Sequence, residues 1–218
     1  MHGFRKRSLY ARSGLRSLAA IALLALTGAG CGGDSDDDGG GGGDLVPPAG
    51  CELTRPPGDF VYPSGPYGTE VGEIFEDIEL DDCDGNKVRF GDVLAQSELT
   101  LFNIGAGWCQ PCVDETEALD AEIFRASCGQ GLRVIQVLFQ DQDAEPATKL
   151  FCSEWREQFS LSFPVLVDPL FATQKYFQSV ESQTPINYLI DPTGTIRFKQ
   201  TGTPAADLPQ RIQALLAE

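Results

Sequence analysis

Two short apolar runs most constrain this chain. Leu99–Ile104 (LTLFNI) and Leu132–Phe139 (LRVIQVLF) have strand length and no clean polar alternation. Such runs fit central parallel strands covered on both faces. Between them, Val113–Cys128 reads as a helix, with Leu119, Ile123 and Ala126 on one stripe and Gly129 as its C-terminal cap. Pro146–Phe159 reads as a second helix and Phe163–Val167 as a short strand. Asn187–Ile190 and Thr195–Lys199 form a hairpin over Asp191-Pro192-Thr193-Gly194. Leu208, Ile212, Leu215 and Leu216 give a last helix one apolar face. Upstream, Ile74–Leu80 and Lys87–Phe90 flank the turn signal Asp84-Gly85. This order predicts an α/β fold: a three-layer sandwich with a mixed central sheet and an N-terminal β-hairpin extension. The two inner helices are expected on opposite faces of the sheet.

The N-terminus reads as an address. Arg5, Lys6, Arg7, Arg12 and Arg16 precede the apolar stretch Leu18–Leu26, and Thr27-Gly28-Ala29-Gly30 is a small-residue cleavage zone. The stretch is shorter than the roughly 20 residues a membrane span needs. Residues 1–30 are therefore expected to be a signal peptide. Cys31 follows at once and resembles the lipidated cysteine of a bacterial lipobox, although Gly28 stands where Leu is usual. Acylation there would hold the protein on a membrane. Residues 31–50 then form a Gly/Asp-rich tether with no apolar content until Leu45. Residues 51–70 are a linker, and residues 71–218 form the folded domain.

Charge and histidine content exclude whole classes of function. Loss of residues 1–30 leaves 11 basic against 32 acidic residues, a net charge of −21. No basic patch remains to neutralise phosphates, so nucleic acid is not an expected partner. The single histidine, His2, lies in the expected signal peptide. Without it, Ser-His-Asp and Cys-His catalysis and histidine-ligated metals have no imidazole.

Cysteine then carries the chemistry. Trp108-Cys109-Gln110-Pro111-Cys112 follows a predicted strand and opens a helix. A cysteine at a helix N-terminus meets free backbone N–H groups and the positive end of the dipole, which stabilise thiolate. Two intervening residues let the second cysteine reach the first. Pro111 loses no hydrogen bond in a first turn. A zinc knuckle would need a second pair at matching spacing, which is absent, and Val113 rather than His follows Cys112, against haem attachment. Redox chemistry without metal or cofactor is the expectation.

These residues resemble the TlpA/ResA-like extracytoplasmic thiol–disulfide oxidoreductases of the thioredoxin superfamily. The likeness spans Val71 to Glu218 and rests on Leu101–Cys109, the WCxPC motif, Glu115 and Thr184–Asp191. It departs from the family where Asn103-Ile104-Gly105-Ala106 replaces the tryptophan-bearing strand end and where Ala118 replaces a proline. The resemblance implies that Cys109 is an exposed nucleophile and Cys112 resolves the mixed disulfide. It implies a cis Pro185 that sets the Thr184 backbone beside Cys109 to pair with an extended substrate. Trp108 would shield the pair. Asn103 stands where thioredoxin has a buried acid. Glu115 has two readings: a first-turn acid that complements the helix dipole, or an accessory carboxylate that tunes the thiols. Implied partners are exported protein thiols and disulfides and a membrane thiol-electron donor.

Cys51, Cys83, Cys128 and Cys152 remain, an even set in an exported chain, which points to two structural disulfides with three connectivities. Cys51–Cys83 is preferred as a staple near the hairpin, and Cys83–Cys152 stays open. Two other functions compete. A thiol peroxidase would carry P-x-x-x-[ST]-x-x-C, but Phe102 and Ala106 stand before Cys109, and Gly105 and Cys109 before Cys112, at those offsets. A non-enzymatic lipoprotein would use the fold as a binding module and Cys109–Cys112 as a staple.

Overall fold

The computed structural model describes residues 49–52, 60–177, 183–202 and 206–218. The expected signal peptide, Cys31 and most of the tether lie outside the described residues. No helix among the described residues is long and apolar enough to cross a membrane.

The elements run β1 (Glu79–Asp82), β2 (Lys87–Arg89), α1 (Phe90–Leu94), β3 (Leu99–Gly105), α2 (Gln110–Ala118) and a π-helical stretch (Leu119–Phe124). The single turn α3 (Arg125–Ser127) and a 3₁₀ turn (Cys128–Gln130) complete that helix. Then follow β4 (Leu132–Leu138), α4 (Lys149–Gln158), β5 (Val165–Val167), α5 (Gln174–Phe177), β6 (Ile186–Ile190), β7 (Ile196–Thr201) and α6 (Leu208–Leu216). They build a seven-stranded mixed sheet in the order β2-β1-β5-β4-β3-β6-β7. β3, β4 and β5 are parallel, and the outer strands pair antiparallel. The expected three-layer α/β architecture is present, with the β1–β2 hairpin extending one edge.

Residue parity along the strands assigns the two faces. Leu99, Leu101, Val134, Leu138 and Leu189 pack in one cluster with Leu119, Ile123, Trp155, Leu208 and Ile212. Phe102, Ile104, Ile135, Val137 and Tyr188 pack in the other with Phe75, Phe90, Leu94 and Tyr176. Thus α2, α4 and α6 cover one face, whereas α1, α5 and the incoming segment around Phe75 cover the other. This corrects the expectation of opposite faces for α2 and α4. The chain steps from β3 to β4 to β5 in one direction across the sheet. Two right-handed crossovers in one direction place both helices on the same side.

The active-site helix also differs from its simple pattern. The π-helical stretch takes more residues per turn than an α-helix and rotates the later stripe. Ala126 is exposed, and Phe124, Ser127 and Cys128 are buried instead. The chain turns at Gly131, not Gly129, where φ is 98° and the N–H donates to the Cys128 carbonyl.

The structural disulfides are Cys51–Cys128 and Cys83–Cys152. Cys51–Cys83, the preferred pairing, is not formed. β1 runs beside β5, and α4 packs over that edge, so Cys83 in the hairpin turn meets Cys152 with Cα atoms 5.1 Å apart. Cys51 reaches the far end of the active-site helix. Arg133 fastens it there through its guanidinium, which donates to the carbonyls of Glu52, Cys128 and Leu132.

Candidate active site: a cysteine pair above a buried row of amides

Cys109 and Cys112 are joined as a disulfide with Cα atoms 5.2 Å apart. Cys109 is the N-cap of α2: its Sγ accepts from the Cys112 N–H at 3.2 Å, and Pro111 sits in the first turn. The close approach of another loop requires glycine just before the motif. A β-carbon on Gly107 would lie 2.7 Å from the Gln142 nitrogen and 2.8 Å from the Asp141 carbonyl carbon.

Opposite the pair, the Thr184–Pro185 peptide is cis. The Thr184 hydroxyl donates to Cys109 Sγ at 3.3 Å. Cys109 is only 3% exposed, so the expected exposed nucleophile is instead nearly covered. Its approach is a cleft of about 620 Å³ lined by Trp108, Cys109, Pro111, Phe139, Phe177 and Thr184. Cys112 does not line that cleft. Trp108 stands 48% exposed at its rim, edge-on to Phe139, and its indole N–H donates to Gln140 Oε1. A core-filling role for Trp108 is thereby removed.

Glu115 is 4% exposed, one turn beyond Cys112 in α2. It lies past the first turn and faces the sheet, so the dipole-complement reading is corrected. Its Oε1 accepts from Asn187 Nδ2 at 2.6 Å and its Oε2 from Asn103 Nδ2 at 2.8 Å. Burial raises its pKa to about 7, and the two amide donors pull in the opposite direction.

Those amides belong to a larger row. Asn187, Asn103 and Gln136 are adjacent in register on β6, β3 and β4. Asn103 Nδ2 also donates to Asn187 Oδ1, and Gln136 Nε2 donates to Asn103 Oδ1 and Thr116 Oγ1. Trp155 Nε1 donates to Gln136 Oε1, and the Thr116 hydroxyl donates to the Cys112 carbonyl. Sequence reasoning found Asn103 and Glu115 but missed Asn187, Gln136, Thr116 and Trp155. A signal was there: Asn103, Gln136 and Asn187 are polar residues inside otherwise apolar strands. A fully buried polar side chain in such a run needs partners on the helix above it.

Known proteins resemble the chain at this point. Residues 71–199, more than half of it, match the family described as AhpC/TSA. The chain belongs to the AhpC/TSA family. It is similar to the thioredoxin-like protein YneN of Bacillus subtilis, 28% identical over 65% of this chain and 78% of that protein. It is also similar to the thiol-disulfide oxidoreductase ResA of Geobacillus thermodenitrificans, 26% identical over 66% of this chain and 78% of that protein. Among solved structures, it superposes on the thioredoxin domain of a thiol-disulfide oxidoreductase from Bacteroides vulgatus. That match has a TM-score of 0.56 and 18% identity, and it covers 68% of this chain and 99% of that one. The thioredoxin-like fold is thus shared, and the relative ResA is named a thiol-disulfide oxidoreductase.

Proposed function

We propose that this chain is an extracytoplasmic thiol–disulfide oxidoreductase that reduces disulfides of exported proteins. One observation carries the reading: only one sulfur of the pair lines the cleft, and a cis-proline loop faces it across that cleft. Reduced Cys109, as thiolate, attacks one sulfur of a substrate disulfide. A Cys109–substrate bond forms, the substrate bond breaks, and one substrate thiolate leaves. Cys112 then attacks Cys109 Sγ, closing the Cys109–Cys112 bond and releasing the second substrate thiolate. Two electrons pass to substrate, and a thiol donor at the membrane restores the dithiol.

The helix N-terminus supports the Cys109 thiolate. Pro185 sets the Thr184 backbone beside Cys109, where it can pair with an extended substrate. Glu115, carrying its proton near neutrality, supplies an accessory acid one turn from Cys112, held by Asn103. The signal-like N-terminus and Cys31 support export and lipid anchoring on a bacterial membrane.

Reduced Cys112→Ser protein mixed with a disulfide-bonded exported protein tests this. A mixed disulfide mapping to Cys109 by mass spectrometry is expected, and none with Cys109→Ser. Attachment through any other cysteine would overturn the assignment. A thiol peroxidase is the competing reading. Under that reading the same reduced protein would consume a hydroperoxide at a rate comparable with disulfide exchange. The missing proline and Ser/Thr before Cys109 predict that it does not.

A further inference from the structure

A carboxamide row has two ends, and its polarity matters only if something fixes it. Asparagine and glutamine oxygens and nitrogens exchange places by a flip, so orientation follows from the partners. Trp155 is the partner without a choice. An indole N–H can only donate. At 2.9 Å from Gln136, it requires the carbonyl oxygen there. Gln136 must then turn its NH₂ toward Asn103 and Thr116. Asn103 must accept with Oδ1, which leaves its Nδ2 for Glu115 and Asn187. Asn187 accepts from Asn103 and is left with its own Nδ2 facing Glu115. Flipping Gln136 alone would set N–H against N–H at Trp155 in a buried site, where unpaired donors are costly.

We propose that Trp155 is a positioning residue for the active-site acid. Its indole N–H sets the direction of the Gln136–Asn103–Asn187 amide chain, so that two carboxamide donors meet Glu115. The inference rests on the accessory role given above to Glu115 only for its effect on the thiols. The row itself stands apart from that role. Phe151 and Phe159 pack tilted against the Trp155 ring, with centroids 5.6 and 4.7 Å away, and the residue is 5% exposed.

Without the indole donor, Gln136, Asn103 and Asn187 can reverse together, Asn187 Nδ2 then donating to Asn103 Oδ1. Asn103 then presents Oδ1 to Glu115, which suits a protonated carboxyl and repels a carboxylate. The neighbours of Glu115 make this readable. α2 contributes Cys112, which does not titrate while oxidised. β3, β4 and β6 contribute Asn103, Gln136 and Asn187, which carry no charge. No charged side chain contributes to the Glu115 shift.

The test is a ¹³C NMR titration of the Glu115 carboxyl in oxidised protein, for wild type, Trp155→Phe, Gln136→Met and the double variant. Loss of the oriented donors should raise the midpoint by at least about one pH unit in Trp155→Phe. Gln136→Met should raise it as well, and the double variant should match Gln136→Met alone. An unchanged midpoint in folded Trp155→Phe, or additive shifts, would overturn the proposal. Should Trp155→Phe fail to fold, the wild-type protein still decides. Its Gln136 amide protons should show strong cross-peaks to Thr116 and not to the Trp155 indole proton, and the reverse pattern would overturn it. These readouts report the carboxyl and the amides, not turnover. A failure here is therefore separable from a failure of Cys109 to attack.

Discussion

Glu115 couples the site to the stability of the fold. Its folded pKa of about 7 lies above its ordinary 4.5 because burial penalises the carboxylate. A native state that holds this proton longer than the unfolded chain is favoured at low pH. The contribution is complete below about pH 4.5, falls as pH rises toward 7 and is gone above it. At about 1.4 kcal/mol per pH unit, the difference amounts to about 3 kcal/mol. Urea denaturation of oxidised protein should therefore show wild type losing about 3 kcal/mol relative to Glu115→Gln between pH 4.5 and pH 8. Parallel pH curves for the two proteins would contradict this. At Gly107 the constraint is steric. Gly107→Ala pushes a β-carbon into the backbone of Asp141 and Gln142. A loss of about 1–3 kcal/mol is expected from that overpacking, read by the same denaturation.

Among the elements, the strands were the most legible in sequence. β3 and β4 match their apolar runs closely, because a strand buried on both faces leaves little choice of residue. The WCxPC motif fell at the strand-to-helix junction as its spacing demanded. The helices were harder to read. α1 and α5 span only five and four residues, too short to show a period. The π-helical stretch changed the stripe on the active-site helix, which placed Ala126 outside and Cys128 inside. The disulfide pairing depended on which face α4 covers, a property of strand order that local pattern does not carry. Both cross-links close long loops, with sequence separations of 77 and 69 residues. On chain entropy each contributes about 4 kcal/mol. Cys51–Cys128 ties down a segment near one end of the described domain, whereas Cys83–Cys152 joins the sheet edge to α4. Denaturation of the paired alanine variants should show Cys83→Ala/Cys152→Ala losing more stability than Cys51→Ala/Cys128→Ala. The opposite order would show that the N-terminal segment, not the sheet edge, governs the fold.

For the whole molecule, three disulfides in one domain must divide between structure and chemistry. Cys51–Cys128 and Cys83–Cys152 are buried within the same hydrophobic cluster, away from the cleft. Cys109–Cys112 sits at a helix N-terminus, with one of its cysteines lining the cleft. The candidate pair was legible in sequence because local spacing encodes it. The amide row beneath it was not, since strands and helices distant in sequence contribute its members. The most direct test equilibrates the purified domain with graded thiol buffers and resolves each cysteine by alkylation and mass. The account predicts that Cys109–Cys112 opens first, in the range from about −270 to −200 mV, while the other two bonds stay closed down to about −300 mV. If Cys109–Cys112 instead remained closed while either of the others opened, it would be a staple, and the oxidoreductase account would be wrong.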